Sequence, residues 1–300
     1  MRKLLIIDGN NLCHRVFWTN KTLTFGNAPI GMVFGFLKSL IRLRKKYNDH
    51  LCVIVWDTGG SARRDAEAQA GVEAGIIPSG YKASRKAKKD EDDDGEHEDF
   101  GAQIELLQEG LNLCRVFQVA MLGVEADDLA YSYVQKAVER GDAAVVVTSD
   151  KDYYQLLDDS IVVLDDMKHN EHTKESFIAE YGFGPKMWIE VGALMGDSSD
   201  EIHGVPGWGI KTACKYVCEY GTADEIIKTL SDKEKPTKKE RVLLDHVERI
   251  HLALSLKKMD FISHVPKLRF QGQYDDETLR HWMLEYGFVS LMKDAKWLTR

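Results

Sequence analysis

The chain has 300 residues, 44% of them hydrophobic and 29% charged, which suits one large domain or two small ones around a substantial core. No apolar run approaches the roughly 20 residues of a membrane span, and "MRKLLIIDGNN" reaches an acid after too short an apolar run for a signal peptide. The net charge of −8 looks hostile to a polyanionic ligand. However, residues 90–99, "DEDDDGEHED", carry eight acids, and with that block set aside the remaining 40 acids equal the 40 basic residues. A nucleic-acid partner is therefore not excluded.

The first expected element is a strand, "KLLIID" at 3–8, ending in Asp8 and followed by Gly-Asn-Asn. A helix follows in "MVFGFLKSLIRLRKKY", where Val33, Phe36, Leu37, Leu40 and Ile41 recur at helical spacing. "LCVIVWD" at 51–57 is a second strand, ending in Asp57, and "AAVVVTSDKD" at 143–152 is a third, closing on Asp150 and Asp152. These runs are Val-, Ile- and Leu-rich and unalternating, the signature of strands buried on both faces of a parallel sheet. "SIVVLDD" at 160–166 reads as a fourth strand. Strands alternating with helices give an α/β layer structure. Ligands of such sheets bind beyond the carboxyl ends of the strands, where these aspartates lie. Each aspartate alone is equally a turn or N-cap residue.

Between the second and third strands, "GVEADDLAYSYV" (123–134) pairs Leu129 with Tyr133 and Ala130 with Val134 on one helical face, with Glu125, Asp127 and Asp128 at its head. A helix N-terminus favours an acid by about 0.3–1 kcal/mol. At ~4 Å and an effective dielectric of ~20, however, each like-charged pair costs on the order of 4 kcal/mol. Something positive must relieve that crowding. The five cysteines (Cys13, Cys52, Cys114, Cys214, Cys218) are scattered, without a CxxC pair, and read as reduced thiols of a cytoplasmic protein.

A second acidic group, "GDSSD" with Asp197 and Asp200, runs into "EIHGVPGWGIKTACKYV". Its spaced glycines either let a backbone approach a phosphate at the following helix N-terminus or serve a tight helix–helix turn. Further on, "SDKEKPTKKERVLLDHVERIHLALSL" reads as a charged loop and an amphipathic helix. "ETLRHWMLEYGFVSLM" places Leu279, Met283 and Tyr286 on one core face.

Taken together, "LIIDGNNL", "WD" at 56–57, "GYKASR" at 80–85, "GVEADD", "TSDKDYYQLL" and "GDSSDEIHGVPGWGIKTA" resemble the 5′-to-3′ exonuclease/flap endonuclease family in content and order, over roughly residues 3–220. That family includes bacteriophage 5′-nucleases and the N-terminal nuclease domain of bacterial DNA polymerase I. The resemblance implies a mostly parallel central sheet flanked by helices, a PIN-like α/β nuclease core. It would occupy residues 1–180, with a helical arch at about 62–112. A helical DNA-clamp region would follow at 181–300, with its helix–hairpin–helix at about 193–220. No polymerase portion is seen, so a stand-alone enzyme of phage type, monomeric and acting in the host cytoplasm, is expected.

Carried over by position, the resemblance implies metal ligands at Asp8, Asp57, Glu125, Asp127, Asp128, Asp150, Asp152, Asp197 and Asp200. Hard oxygen donors suit Mg²⁺, with Mn²⁺ as substitute, and so many acids suit two ions. Lys82 and Arg85 match a basic pair acting on the scissile phosphate. DNA contacts are implied at Arg15, Tyr81, Gly204, Val205, Gly207, Gly209, Lys211 and Lys215, and the hairpin can hold K⁺ in relatives. Arg63 and Arg64 read as a solvated basic helix face. His14 stands where the family often has a base-stacking aromatic. The acidic run at 90–99 is expected on the outside of the arch. The implied activity is metal-dependent cleavage near ssDNA/dsDNA junctions, removing 5′ flaps or primers, with branched or 5′-ended DNA and RNA–DNA hybrid as substrates. The alternatives are a PIN-type endoribonuclease, which the glycine hairpin argues against, and a non-catalytic branched-DNA binder.

Overall fold

A computed structural model of the chain describes residues 2–84, 96–268 and 275–299. Strand β1 (Lys3–Asp8) feeds helix α1 (Gly9–Asn20). A small hairpin, β2 (Thr24–Phe25) and β3 (Ala28–Pro29), precedes α2 (Gly31–Lys46), and β4 (Leu51–Trp56) follows. Next come α3 (Ala62–Glu73), α4 (Glu96–Asn112), β5 (Phe117–Ala120), α5 (Ala126–Glu139), β6 (Ala143–Val147), β7 (Ile161–Asp165) and β8 (Asn170–His172). The remainder is helical: α6 (Lys174–Tyr181), α7 (Trp188–Met195), α8 (Ile210–Tyr220), α9 (Ala223–Ser231), α10 (Lys238–Leu244), α11 (Val247–Lys257), α12 (Asp276–Glu285) and α13 (Lys296–Thr299).

The six strands order as β5-β4-β1-β6-β7-β8, parallel except for β8. Their residues alternate between two buried faces. Ile6, Val53, Val55 and Val146 pack with Leu129, Trp188 and Ile250 on one side, and Leu5, Ile7, Ile54 and Val147 pack with Leu12, Val33 and Leu107 on the other. Burial on both faces explains the unalternating runs. The chain reverses its direction of winding between β1 and β6, and ligand crevices open at the carboxyl ends of strands at such a point.

Several details depart from the expectations. Strand β5, with its internal Gln118, is short and carries no strong apolar run. The region read as one amphipathic helix is two, α10 and α11, broken at Asp245–His246. Residues 85–95, with Arg85 and most of the acidic run, lie outside the described residues. All five cysteines are free, and Cys13, Cys52 and Cys114 are buried. No helix among the described residues is long and apolar enough to cross a membrane.

Candidate active site

Four strand ends deliver carboxylates to one rim. Asp8 closes β1 and caps α1, accepting the Asn11 N–H at 3.0 Å with one oxygen. Its other oxygen accepts the Tyr153 hydroxyl at 3.1 Å and the Thr148 hydroxyl at 3.3 Å. The two asparagines after it brace the neighbouring strands: Asn10 Oδ1 accepts the Asp57 N–H at 2.9 Å and Asn11 Oδ1 accepts the Ser149 N–H at 3.0 Å. Asp57, one residue beyond β4, accepts the Ala126 N–H at 2.6 Å and so fixes the start of α5. Glu125 is the N-cap residue of α5, and Asp127 and Asp128 lie in its first turn. Asp150 caps the 3₁₀ turn after β6, accepting the Asp152 N–H at 2.9 Å.

The second half of the chain adds the loop between α7 and α8. Asp197 and Ile202 bond each other's backbones at 2.8 Å in both directions, which closes the loop and presents Asp200. Gly196 and Gly204 pack backbone to backbone at its base; a Cβ on Gly204 would stand 2.3 Å from the Gly196 nitrogen. A polar cavity of about 70 Å³ results, lined by Asp8, Asp57, Glu125, Asp127, Asp150, Asp152 and Asp200, with Arg64, Lys82 and Lys257 among them.

These seven carboxylates outnumber the three cations, and the imbalance is visible in their acidities. Burial, then repulsion from Asp57, pushes Asp8 up to about 7. Burial, then repulsion from Asp152, pushes the Asp150 carboxyl up to about 8, although the residue as a whole is exposed. Asp57 is raised by burial and then by Glu125 and Asp127. Glu125 behaves oppositely: burial would raise it, but Lys82 and Arg64 hold it below the usual carboxylate range. An all-oxygen donor set with surplus negative charge suits a hard divalent cation. As the side chains stand, no three acids among the described residues converge to hold an ion; cationic side chains lie between them.

Five of the expected site residues are placed or engaged otherwise. Asp128 is 2% exposed and does not line the cavity; one oxygen accepts from Arg64 at 3.1 Å and from the Asp260 N–H at 2.7 Å. Tyr81 is buried, with its hydroxyl donating to Glu125 at 3.0 Å, so its ring is not presented for stacking on DNA. Val205 is a core residue whose N–H is bonded to the Leu194 carbonyl at 2.8 Å. Arg15 is paired with buried Asp165 at 2.9 Å, and His14 stacks on Phe100 with ring centroids 4.5 Å apart. Gly207 (φ 77°) and Gly209 stay exposed, as do Lys211 and Lys215 on α8, whose N-terminus has no side-chain cap. Asp197 does not line the cavity directly; its oxygens go to Ser199, Asp200 and Lys257.

The reading of Arg63 and Arg64 as a solvated face is overturned. Arg64 is 2% exposed, and its guanidinium bonds Glu125, both oxygens of Asp127 (3.1 and 2.9 Å) and Asp128. It supplies the positive charge that the α5 head demanded. Arg63 pairs with Asp260 and donates to the Ser255 and Lys258 carbonyls. Lys82 sits in the left-handed region (φ 53°), which non-glycine residues rarely adopt. Its N–H bonds the Asp200 carbonyl at 3.1 Å and its ammonium bonds Glu125 at 2.7 Å. Lys257 was not anticipated at all; its ammonium bridges Asp152 and Asp197, 2.7 Å from each.

Two family descriptions match this chain: "5'-3' exonuclease, N-terminal resolvase-like domain" over residues 3–182 and "5'-3' exonuclease, C-terminal SAM fold" over residues 183–271. The chain belongs to the 5′-3′ exonuclease family. It is 33% identical over 214 residues to a 5′-3′ exonuclease of Buchnera aphidicola subsp. Schizaphis graminum, covering 71% of this chain and 68% of that one. It is 33% identical over 298 residues to the thermostable DNA polymerase I of Thermus aquaticus, covering 97% of this chain and 33% of that protein. The chain thus spans about a third of the length of such polymerases. Its fold is like that of a bacteriophage T5 flap endonuclease in a complex with DNA and metal ions (TM-score 0.69, 23% identity, 98% of this chain and 97% of that one). Divalent zinc is bound in another structure of the T5 5′-exonuclease.

Proposed function

We propose that this family member is a structure-specific 5′-nuclease that hydrolyses DNA phosphodiesters near the junction of a 5′ single strand and a duplex, leaving 5′-phosphates. The observation that carries the reading is the single cavity in which acids from four strand ends meet Asp200 from the helical half. The lining acids Asp8, Asp57, Glu125, Asp127, Asp150, Asp152 and Asp200 would hold Mg²⁺, two ions being the economical number, with Mn²⁺ able to substitute. When bound, such ions would make water more acidic, so that hydroxide forms near neutral pH, and would neutralise charge on the phosphate.

The chain's own residues do the rest. Lys82, held rigidly at the cavity edge, meets the phosphate undergoing attack and stabilises its developing charge. Arg85 belongs to the same proposal by position in the sequence. Lys211 and Lys215 with the uncapped start of α8 hold duplex backbone, which makes binding salt-sensitive and indifferent to base sequence. Gly207 and Gly209 let that backbone come close, and K⁺ can sit at this turn. An RNA strand paired to DNA is also accepted as substrate, since nothing in this set reads a sugar.

The test is a labelled 5′-flap substrate with Mg²⁺ or chelator. Cutting is expected only with Mg²⁺ and only by the native chain, not by Asp150→Asn; equal cutting by both would refute the metal assignment. Lys82→Ala is expected to slow single-turnover cleavage about a hundredfold with little change in flap affinity. A Lys82→Ala rate within a factor of two of the native rate would remove Lys82 from the chemistry.

A further inference from the structure

Lys257 is the last residue of α11 and only 4% exposed, yet it carries a charge. Its aliphatic stem runs past α7 at Gly192, where a Cβ would lie 3.5 Å from the lysine Cδ. Its ammonium donates to Asp152 Oδ2 and Asp197 Oδ2, both at 2.7 Å. Asp152 comes from the turn after β6 and Asp197 from the loop between α7 and α8. The remaining oxygen of Asp197 is already engaged by the Ser199 N–H at 2.8 Å and the Ser199 hydroxyl at 2.6 Å. Lys257 thus takes the Asp197 oxygen that Ser199 leaves over, together with one oxygen of Asp152.

We infer that Lys257 is a built-in counter-ion at the Asp152–Asp197 edge of the site, holding that edge together in the metal-free chain and competing with a second divalent ion for the same carboxylates. The inference rests on the metal-dependent reading above. Two carboxylates facing each other without a cation repel, and burial amplifies the repulsion. A covalently attached ammonium removes that repulsion at no cost in concentration. It also marks off one edge of the cavity lining. Asp8 and Asp57 have no lysine or arginine bonded to them among the contacts described, so a first ion on that side has no ammonium to displace. A second ion on the Asp152 side has to displace the ammonium, so the two ions enter in order. Lys257 is on this view a positioning residue, with no contact to the scissile phosphate required.

The probe is Mn²⁺ alone, counted by electron paramagnetic resonance on the full chain without DNA. The native chain is expected to bind one ion tightly and a second weakly. Lys257→Met keeps the length of the stem and removes the charge, and should tighten the second ion about tenfold or more while leaving the first within a factor of three. Lys257→Arg should keep the native difference. A native chain that takes up no Mn²⁺ would overturn the metal reading itself. Uptake with the second affinity unchanged or weaker in Lys257→Met would overturn the role of Lys257 alone.

If Lys257→Met fails to fold, the native chain answers the question through the ¹⁵N resonance of the Lys257 ammonium, assigned with Lys257→Arg. That signal should survive the first equivalent of Mg²⁺ and move with the second. Loss at the first equivalent, or no response to either, would refute the ordered entry.

Discussion

Arg64→Met is expected to unfold far more easily than the native chain, by about 3–5 kcal/mol. The guanidinium is 2% exposed and is the shared partner of Glu125, Asp127 and Asp128. Removing it strands the acids rather than merely deleting a contact. Glu125 keeps Lys82 and the Tyr81 hydroxyl, but Asp128 keeps only the Asp260 N–H, in a place where burial and Asp127 already push it up to about 7. Urea denaturation in chelator measures the loss. Because the uncompensated charge is the cause, adding Asp128→Asn should recover a substantial part of it. An Arg64→Met curve within about 1 kcal/mol of native, or a double variant no better than the single, would show that Arg64 is dispensable to the α5 head.

The second large effect is in pH. In chelator, the unfolding midpoint should fall as pH rises from about 4 to about 8, and Mg²⁺ should restore it by an amount that grows over the same range. Asp8 carries its proton in the folded chain up to about 7, whereas in the unfolded chain it has lost it by about 4. Between those values the native state binds more protons than the unfolded one, so stability declines with rising pH. Asp57 and Asp150 act in the same direction. Asp197, which Lys257 and Ser199 hold down at about 2 in spite of its burial, acts oppositely; its contribution is full above about 4 and is lost as pH falls toward 2. The decline on the alkaline side should amount to a few kcal/mol. A midpoint in chelator that is flat over this range, or an Mg²⁺ gain equal at both ends, would contradict the picture of carboxylates awaiting a cation.

Asp8, Asp57, Asp150 and Asp152 were legible in the sequence because they follow strands buried on both faces, and Glu125 and Asp127 because they crowd one helix head. Such strands announce themselves by unbroken apolar runs, and a sheet of that kind leaves little choice about which end meets the ligand. The cations were not legible. Arg64 stands in "ARRDAEAQAG", which matches a solvated helix as well as a buried one. Its partners lie 61 to 64 residues away. The repulsion computed for the α5 head did demand a positive group, and that demand was the usable signal; it could not say which of 40 basic residues answered it. Lys257 sits beside Lys258 in "SLKKMD", and only the three-dimensional packing decides that the first is buried and the second exposed. Tyr81 and Val205 were misread for a related reason. Proximity to functional residues in the sequence says nothing about which way a side chain turns, and both turn inward.

The closing of the loop by Asp197 and Ile202, which presents Asp200 to the acids of the strand ends, carries a consequence for biosynthesis. The cavity is complete only once the ribosome has made the chain as far as α11, because Lys257 is its last lining residue in sequence. A nascent fragment or an early proteolytic product holding the whole sheet would still lack Asp200 and Lys257, and would carry only part of the cavity wall.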